Sequence, residues 1–155
     1  MKYILLVFTL FFSACSIKNY EHVQSKLIII KSPKLKFADL GYLRNTKRAV
    51  ELELFVAGKA IEKFSINHLV CIDKGCMSKS SFNEEYLNAA YPDDLLQNIL
   101  LGYEIYDAKN RVNTLDGFEQ NIEDENVNIL YKISINTVYF KDTKNKILFK
   151  IKDIK

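Results

Sequence analysis

The sequence predicts an α+β domain that consists mainly of antiparallel β-sheet, with a two-helix insert around residues 80–102. Apolar and polar residues alternate over residues 50–56 and 127–133, which is the period of a half-buried strand. Between residues 82 and 100 the apolar residues recur instead at helical spacing. Strands before and after a helical insert predict antiparallel pairing, either in one sheet or in a β-sandwich with a helical excursion.

The composition is that of one folded domain. The chain has 155 residues, of which 48% are hydrophobic and 26% are charged, so a single core can form. Lysine and arginine together number 22, against 19 aspartates and glutamates. This excess of positive charge is too small to drive nucleic-acid binding, and we expect no nucleic-acid partner.

The amino-terminal segment has the layout of a signal peptide. Lys2 precedes an apolar run from Ile4 to Phe12, and two small residues then lead to Cys15. The run is much shorter than the roughly 20 residues that a membrane-spanning helix needs. We therefore expect residues 1–14 to be removed during export.

The tetrapeptide Phe12-Ser13-Ala14-Cys15 resembles the lipobox of bacterial lipoproteins. The resemblance implies that Cys15 becomes the first residue of the mature chain and carries a diacylglyceryl group and palmitate. Ser16 resembles the outer-membrane sorting case of Gram-negative lipoproteins, which implies a protein of the cell envelope, anchored in the outer membrane and facing the periplasm. The alternative is an ordinary secretory signal that has a cysteine near its end by chance.

Residues 15–25 are polar, without an apolar period, and predict a lipidated tether before a domain over residues 26–155.

The run Leu27–Ile30 predicts an early strand that stops before Pro33. The proline favours a position for this strand at an edge of the sheet. Gly58 and Lys59 predict a turn between the strand over 50–56 and a returning strand over 61–66. In the first of these strands Val50, Leu52, Leu54 and Val56 share one face, and Glu51, Glu53 and Phe55 share the other.

Capping signals predict where the two helices begin and end. Ser81 and Glu84 form an S-x-x-E capping box for the first helix. Pro92 suits the first position of the second helix, and Gly102 suits its end. The apolar stripes comprise Phe82, Tyr86 and Leu87 in the first helix and Leu95, Leu96, Ile99 and Leu100 in the second.

Strands are predicted again after Gly102, over residues 103–106, 127–134, 137–141 and 146–152. Residues 107–116 are polar and predict a loop, and residues 142–145 predict a hairpin turn. Lysines alternate with Ile147, Phe149 and Ile151 in the last strand. This pattern favours an edge strand whose lysines prevent edge-to-edge aggregation. The alternative is that the lysines contact lipid phosphates.

Cys71 and Cys76 are the cysteines that remain after lipidation of Cys15, and an exported protein meets an oxidising compartment. We therefore predict a disulfide between them. A redox pair is one alternative, although the spacing departs from C-x-x-C. A zinc site with His68, and with Asp73 as a fourth ligand, is another.

The chain contains no nucleophile elbow and no phosphate-binding glycine loop, so we do not expect an enzyme. The function predicted is a non-catalytic binding or structural module that needs no cofactor or metal and meets an envelope protein, a lipid or a glycan. The alternative is an envelope redox or metal-dependent factor that uses Cys71, Cys76 and His68. The helical insert offers a binding surface, for which we expect exposed side chains at Glu84, Glu85, Gln97 and Asn98.

Two longer stretches carry a second resemblance. Residues 76–102, CMSKSSFNEEYLNAAYPDDLLQNILLG, and residues 139–152, YFKDTKNKILFKIK, are similar to small, largely uncharacterised lipoproteins of the Campylobacter and Helicobacter group. The resemblance implies an envelope lipoprotein and supplies no catalytic motif.

Overall fold

The segments with alternating polarity form one antiparallel sheet. The computed structural model describes residues 20–154. The strands are β1 His22–Lys31, β2 Lys36–Asn45, β3 Val50–Val56, β4 Lys59–Ile66, β5 Leu69–Ile72, β6 Gly75–Ser78, β7 Arg111–Asn113, β8 Phe118–Glu123, β9 Asn128–Ser134, β10 Thr137–Asp142 and β11 Ile147–Asp153. They pair in the order β6-β5-β4-β3-β2-β1-β11-β10-β9-β8-β7.

Two helices, α1 Lys79–Tyr86 and α2 Leu95–Leu101, lie between β6 and β7 in the chain, and a 3₁₀ turn follows at Tyr106–Ala108. The mainly antiparallel sheet and the two-helix insert are therefore confirmed. Among residues 20–154, no helix has the length and apolar character needed to cross a bilayer.

The strands nearest the two ends of the described chain lie at the centre of the sheet, because β1 pairs with both β2 and β11. The prediction that the first and last strands are edge strands is wrong. Pro33 follows β1 and does not interrupt it, so every β1 amide can pair. The lysines of β11 alternate with buried residues and occupy a face of the sheet instead of its edge.

Strand β1 begins at His22, inside the segment predicted as tether. Residues 22–25 are exposed, yet they pair in register with β2 from His22↔Asn45 to Ser25↔Tyr42. Backbone pairing forms this part of the strand without burial of its side chains. The polar composition of residues 15–25 therefore did not reveal it.

One face of the sheet packs against the helices, and we call it the inner face; the opposite face is the outer face. Helix α2 contacts both β3 and β10. In a flat sheet these strands, four strand spacings apart in the order above, would be separated by about 19 Å, which exceeds the helix diameter of about 10–12 Å. The sheet therefore curves around α2. All four residues of the predicted stripe, Leu95, Leu96, Ile99 and Leu100, are buried there.

The N-cap of helix α1 lies three residues before the predicted cap, Ser81. Its N-cap is Ser78, whose Oγ accepts a hydrogen bond of 3.0 Å from the amide of Ser81. Ser78 is also the last residue of β6, so the extended backbone of the strand leads directly into the helix. The prediction of Ser81 as cap is wrong because a second serine lies at the correct spacing before it.

Helix α2 begins at Leu95, later than predicted. Pro92 lies in a preceding turn, in which its carbonyl accepts a hydrogen bond of 3.1 Å from the Leu95 amide. Gly102 ends the helix as predicted. Its φ of +70° is the left-handed conformation that glycine adopts without steric cost, and the amide of Tyr103 bonds to the Asn98 carbonyl.

The predicted strand over residues 103–106 is absent from the described chain, and Tyr106–Ala108 turns with positive φ at every residue. Fully buried Gln120 explains the difference. Its side-chain amide bonds to both the N–H and the carbonyl of Ile105, and to the carbonyl of Lys109, where a neighbouring strand would otherwise pair. The segment predicted as a loop, residues 107–116, contains β7. Strand β8 was not predicted from the sequence.

Candidate functional site

A cavity of about 380 Å³ lies at one end of the inner face, and we call it the end cavity. It lies where β1 begins, where β2, β11 and α2 end, and where β9 turns into β10. Its polar lining comprises His22, Gln24, Lys26, Asn45, Ser134, Asn136, Thr137 and Asp153, and its other lining residues are Leu43, Leu100, Leu101, Gly102, Tyr103, Ile133, Ile135, Val138 and Ile151.

Strand β1 supplies the polar wall of the end cavity through its two-residue period. His22, Gln24 and Lys26 share a face with Ile28 and Ile30, which are buried in the core. The strand therefore passes from apolar to polar on one face as it leaves the core. Sequence reasoning missed these three residues, although extending the alternation of Ile28 and Ile30 backwards would have found them.

An ion pair joins two walls of the end cavity. Lys26 and Asp153 are register partners on β1 and β11, and the Lys26 ammonium contacts Oδ1 of Asp153. The Lys26 side chain is 12% exposed, whereas that of Asp153 is 40% exposed. The carboxylate of Asp153 compensates the charge of the largely buried Lys26 side chain. The carboxylate itself remains accessible to solvent.

The floor of the end cavity is apolar and includes the end of α2. Gly102 turns the chain there, next to Ile133 and Val138: a Cβ on Gly102 would lie 3.5 Å from Cγ2 of Val138. At the cavity, Tyr103 is 55% exposed and Ile135 is 76% exposed. Large apolar side chains exposed beside a cavity are typical of a binding surface.

The opposite end of the inner face is filled by a fully buried carboxylate, Asp142, at the end of β10. Oδ2 accepts hydrogen bonds of 2.7 Å from the Tyr91 hydroxyl and 2.6 Å from Nδ2 of Asn145. Oδ1 accepts from the amides of Asn128, Lys144 and Asn145. Burial and the Asp142 carboxylate raise the pKa of Tyr91. This saturated set of bonds fixes the turn between β10 and β11.

A cluster of charged residues lies on the outer face, on β2, β3 and β4. Its centre is the carboxylate of Glu51, which is buried although the alternation places it opposite the core. NH1 of Arg44 lies 3.2 Å and Nζ of Lys63 lies 3.0 Å from Oε1 of Glu51. Arg44 also bonds to Glu53 at 2.7 Å, and the hydroxyl of Tyr20 donates to Oε2 of Glu51 at 2.6 Å.

These contacts decide the protonation of Glu51. Burial alone would raise its pKa, but hydrogen bonds from Tyr20 and Lys63 and the charges of Lys63 and Arg44 outweigh burial and lower the pKa below 4.5. Burial, followed by the hydrogen bond to Glu51, raises the pKa of Tyr20 to about 12. Glu51 is therefore ionised and Tyr20 is neutral at pH 7.

The predicted disulfide is present: Cys71 and Cys76 are bonded and are register partners of the hairpin formed by β5 and β6. His68 is exposed in the turn before β5. In the part of the chain that the structure describes, no three His, Cys, Asp or Glu side chains are grouped to hold a metal ion. The predicted lipidation site, Cys15, lies outside the described residues.

The four residues predicted as a binding surface do not line the end cavity. Glu84 and Glu85 are exposed on α1, and Glu85 pairs with Lys34 at 3.0 Å. Gln97 and Asn98 are half-buried on α2, so the expectation that both are exposed is wrong. The physical reason is contact within the insert and with the sheet. Lys79 donates to Gln97 at 3.0 Å, Asn98 donates to Asp94 at 2.9 Å, and the hydroxyl of Tyr131 lies 3.4 Å from the Asn98 carbonyl.

Comparison of the chain with protein-family models, with curated proteins and with solved structures gave no match.

Proposed function

We propose that the chain is a cell-envelope lipoprotein, anchored through Cys15 in the outer membrane and facing the periplasm, and that it acts as a non-catalytic binding module. Its ligand is amphipathic and occupies the end cavity. The ligand's apolar chain lies on the floor, and its polar head meets the residues of β1, β2 and β11.

The observation that carries this proposal is the division of the end cavity into an apolar floor and a polar wall. Leu100 and Val138 belong to the floor, whereas His22, Gln24 and Asn45 offer hydrogen bonds. A volume of about 380 Å³ falls within the roughly 300–1,000 Å³ of small-molecule sites. A ligand that is apolar at one end and forms hydrogen bonds at the other satisfies both surfaces at once.

The distance along the chain to the anchor supports a lipid as the source of this ligand. His22 lies seven residues after Cys15 and lines the end cavity. Seven extended residues span at most about 25 Å, so an anchor on Cys15 keeps the cavity close to the bilayer. A lipid that leaves the bilayer therefore meets this cavity at short range.

The ion pair supports a role in orienting a ligand. The ammonium of Lys26 contacts the Asp153 carboxylate, and both side chains line the end cavity. The pair therefore offers a positive and a negative charge to a polar head.

A photoactivatable lysophospholipid supplied to intact cells tests the proposal. We expect crosslinks on peptides that line the end cavity, located by mass spectrometry of the purified protein. Val138→Phe fills part of the cavity and should lower crosslinking at least about tenfold, the effect of losing roughly 1.4 kcal/mol of binding free energy.

The matched control is Val112→Phe, which makes the same change at a side chain that is 65% exposed on β7. It should crosslink as the wild-type protein does. Equal crosslinking in both variants, or crosslinks that avoid the cavity peptides in the wild type, would contradict the proposed site.

A further inference from the structure

We propose that the outer face of the sheet around β1, β2 and β11 lies against the anionic headgroups of the membrane that holds the anchor. This inference rests on the anchoring at Cys15 that is part of the proposed function. It concerns a surface different from the end cavity, on the other side of the sheet.

Exposed apolar side chains occupy the outer face of β1 and β2. Val23 is 56% exposed, Leu27 is 39% exposed, Leu40 is 49% exposed and Tyr42 is 41% exposed. Leu27 and Leu40 are register partners, so they form a continuous apolar surface across the two strands. Such a surface gains free energy when it is removed from water.

Lysines lie directly beside this apolar surface. Lys152 is the register partner of Leu27, and Lys150 is the register partner of Ile29, with both lysines exposed on β11. Neither forms an ion pair with another residue between positions 20 and 154. Apolar side chains flanked by unpaired lysines suit the boundary between headgroups and acyl chains, where lysine meets lipid phosphate.

The start of the described chain lies on this same face. The hydroxyl of Tyr20 bonds to Glu51, whose partners Arg44 and Lys63 lie on the outer face of the neighbouring strands. Cys15 precedes Tyr20 by five residues, which span at most about 18 Å. A lipid on Cys15 therefore holds the outer face within that distance of the bilayer.

Charge favours a membrane over a second copy of the chain as the occupant. Two carboxylates on the outer face of β3, Glu51 and Glu53, are already paired with Arg44 and Lys63. A second copy seated here would add its own Lys150 and Lys152 against one exposed carboxylate next to β1, Glu21. An anionic membrane supplies the missing negative charge.

Lysine footprinting on the lipidated full-length product tests the inference. The protein, purified from membranes, is reconstituted into vesicles of phosphatidylcholine alone or of phosphatidylcholine with phosphatidylglycerol, and acetylated with a water-soluble ester. In the anionic vesicles Lys150 and Lys152 should react roughly fivefold more slowly, the factor expected for a lysine held at an anionic surface. Lys74 and Lys109, exposed near the two edges of the sheet, should react equally in both vesicles.

A charge-reversed variant, Lys150→Glu with Lys152→Glu, supplies the second test. It should abolish the protection of Lys31, an exposed lysine on the outer face of β1. The matched control, Lys74→Glu with Lys109→Glu, makes the same change in net charge and should keep that protection.

The outcomes separate the two proposals. Protein that floats with neutral vesicles but shows equal lysine reactivity in both vesicle types overturns the docking and leaves the anchoring intact. Protein that fails to float with neutral vesicles overturns the anchoring and this inference with it. Dimerisation through this face, seen as protection of Lys150 and Lys152 in neutral vesicles that disappears on dilution, also overturns the inference.

Discussion

The hydroxyl of Tyr20 donates a hydrogen bond of 2.6 Å to Oε2 of Glu51, a buried carboxylate 31 residues later in the chain. The bond attaches a residue two positions before β1 to the outer face of β3, although β2 lies between these two strands in the sheet. The ionised carboxylate that accepts this bond has a lowered pKa, and the stability of the fold therefore depends on pH.

Glu51→Gln should destabilise the protein at pH 7 by about 1–3 kcal/mol. This is less than for a fully buried pair because Arg44 and Lys63 are partly exposed. The folded pKa of Glu51 lies below 4.5, so the contribution is present above pH 4.5 and is lost as pH falls through the folded pKa. Urea unfolding from pH 7 to pH 3 should show the two proteins converging. Glu84→Gln, at an exposed carboxylate, is the control, and a gap for Glu51→Gln that stays constant with pH would contradict the assignment.

Leu96→Ala should cost about 2–5 kcal/mol of unfolding free energy, because this side chain is 6% exposed and its removal leaves a cavity between α2 and the sheet. Leu101→Ala, at the half-buried end of the same helix, should cost less. Thermal and urea unfolding compare the two. An equal loss in both variants would show that α2 is not held by its predicted stripe.

Gly117→Ala should destabilise the protein more than Gly58→Ala does. A Cβ on Gly117 would overlap the carbonyl oxygen of Ile133, so β8 and β9 would have to separate. A Cβ on Gly58 would have no atom within 4 Å. That variant is destabilised only by placing alanine at a φ of +79°, which costs about 1 kcal/mol. Hydrogen exchange should show lost protection in β8 and β9 for Gly117→Ala alone. Protection equal to the wild type would exclude this close approach.

Cys71→Ser with Cys76→Ser should lower the unfolding free energy by about 2 kcal/mol, the loop-entropy value for so short a loop. The disulfide closes one hairpin at the end of the sheet, so exchange should rise in β5 and β6 and not in β1 or β11. Peptide mapping without reductant should find the two cysteines linked in protein taken from cells. Two free thiols in that protein would place the redox and metal hypotheses above the structural disulfide.

Metabolic labelling with palmitate should mark the wild-type protein and leave Cys15→Ser unlabelled, because the apolar run and the two small residues place cleavage before Cys15. Cys71→Ser with Cys76→Ser should still be labelled and serves as the control. An unlipidated soluble product of the wild-type gene would contradict the proposed anchoring.

The sequence by itself determined the features that depend on residues close in the chain. The hairpin over residues 50–66, the turn before β11, the α2 stripe and the helix end at Gly102 follow from local periods and from backbone preferences. The two-helix insert between strands follows in the same way. Even here the exact start of a helix did not follow, because Ser78 and Ser81 are both competent caps and only the path of β6 selects between them.

The tertiary structure alone decided what each strand lies beside. Whether β1 and β11 are central or at an edge depends on pairing between residues such as Lys26 and Asp153, which are 127 positions apart, and no local pattern encodes that choice. The burial of Glu51 depends in the same way on Tyr20, Arg44 and Lys63, which come from three other segments. The end cavity is lined by the ends of the paired strands β1, β2 and β11 and by the end of α2, so it too depends on long-range pairing. Curvature and long-range pairing are properties of the whole sheet, so the polar residues of β1 became a candidate site only when the strands were assembled.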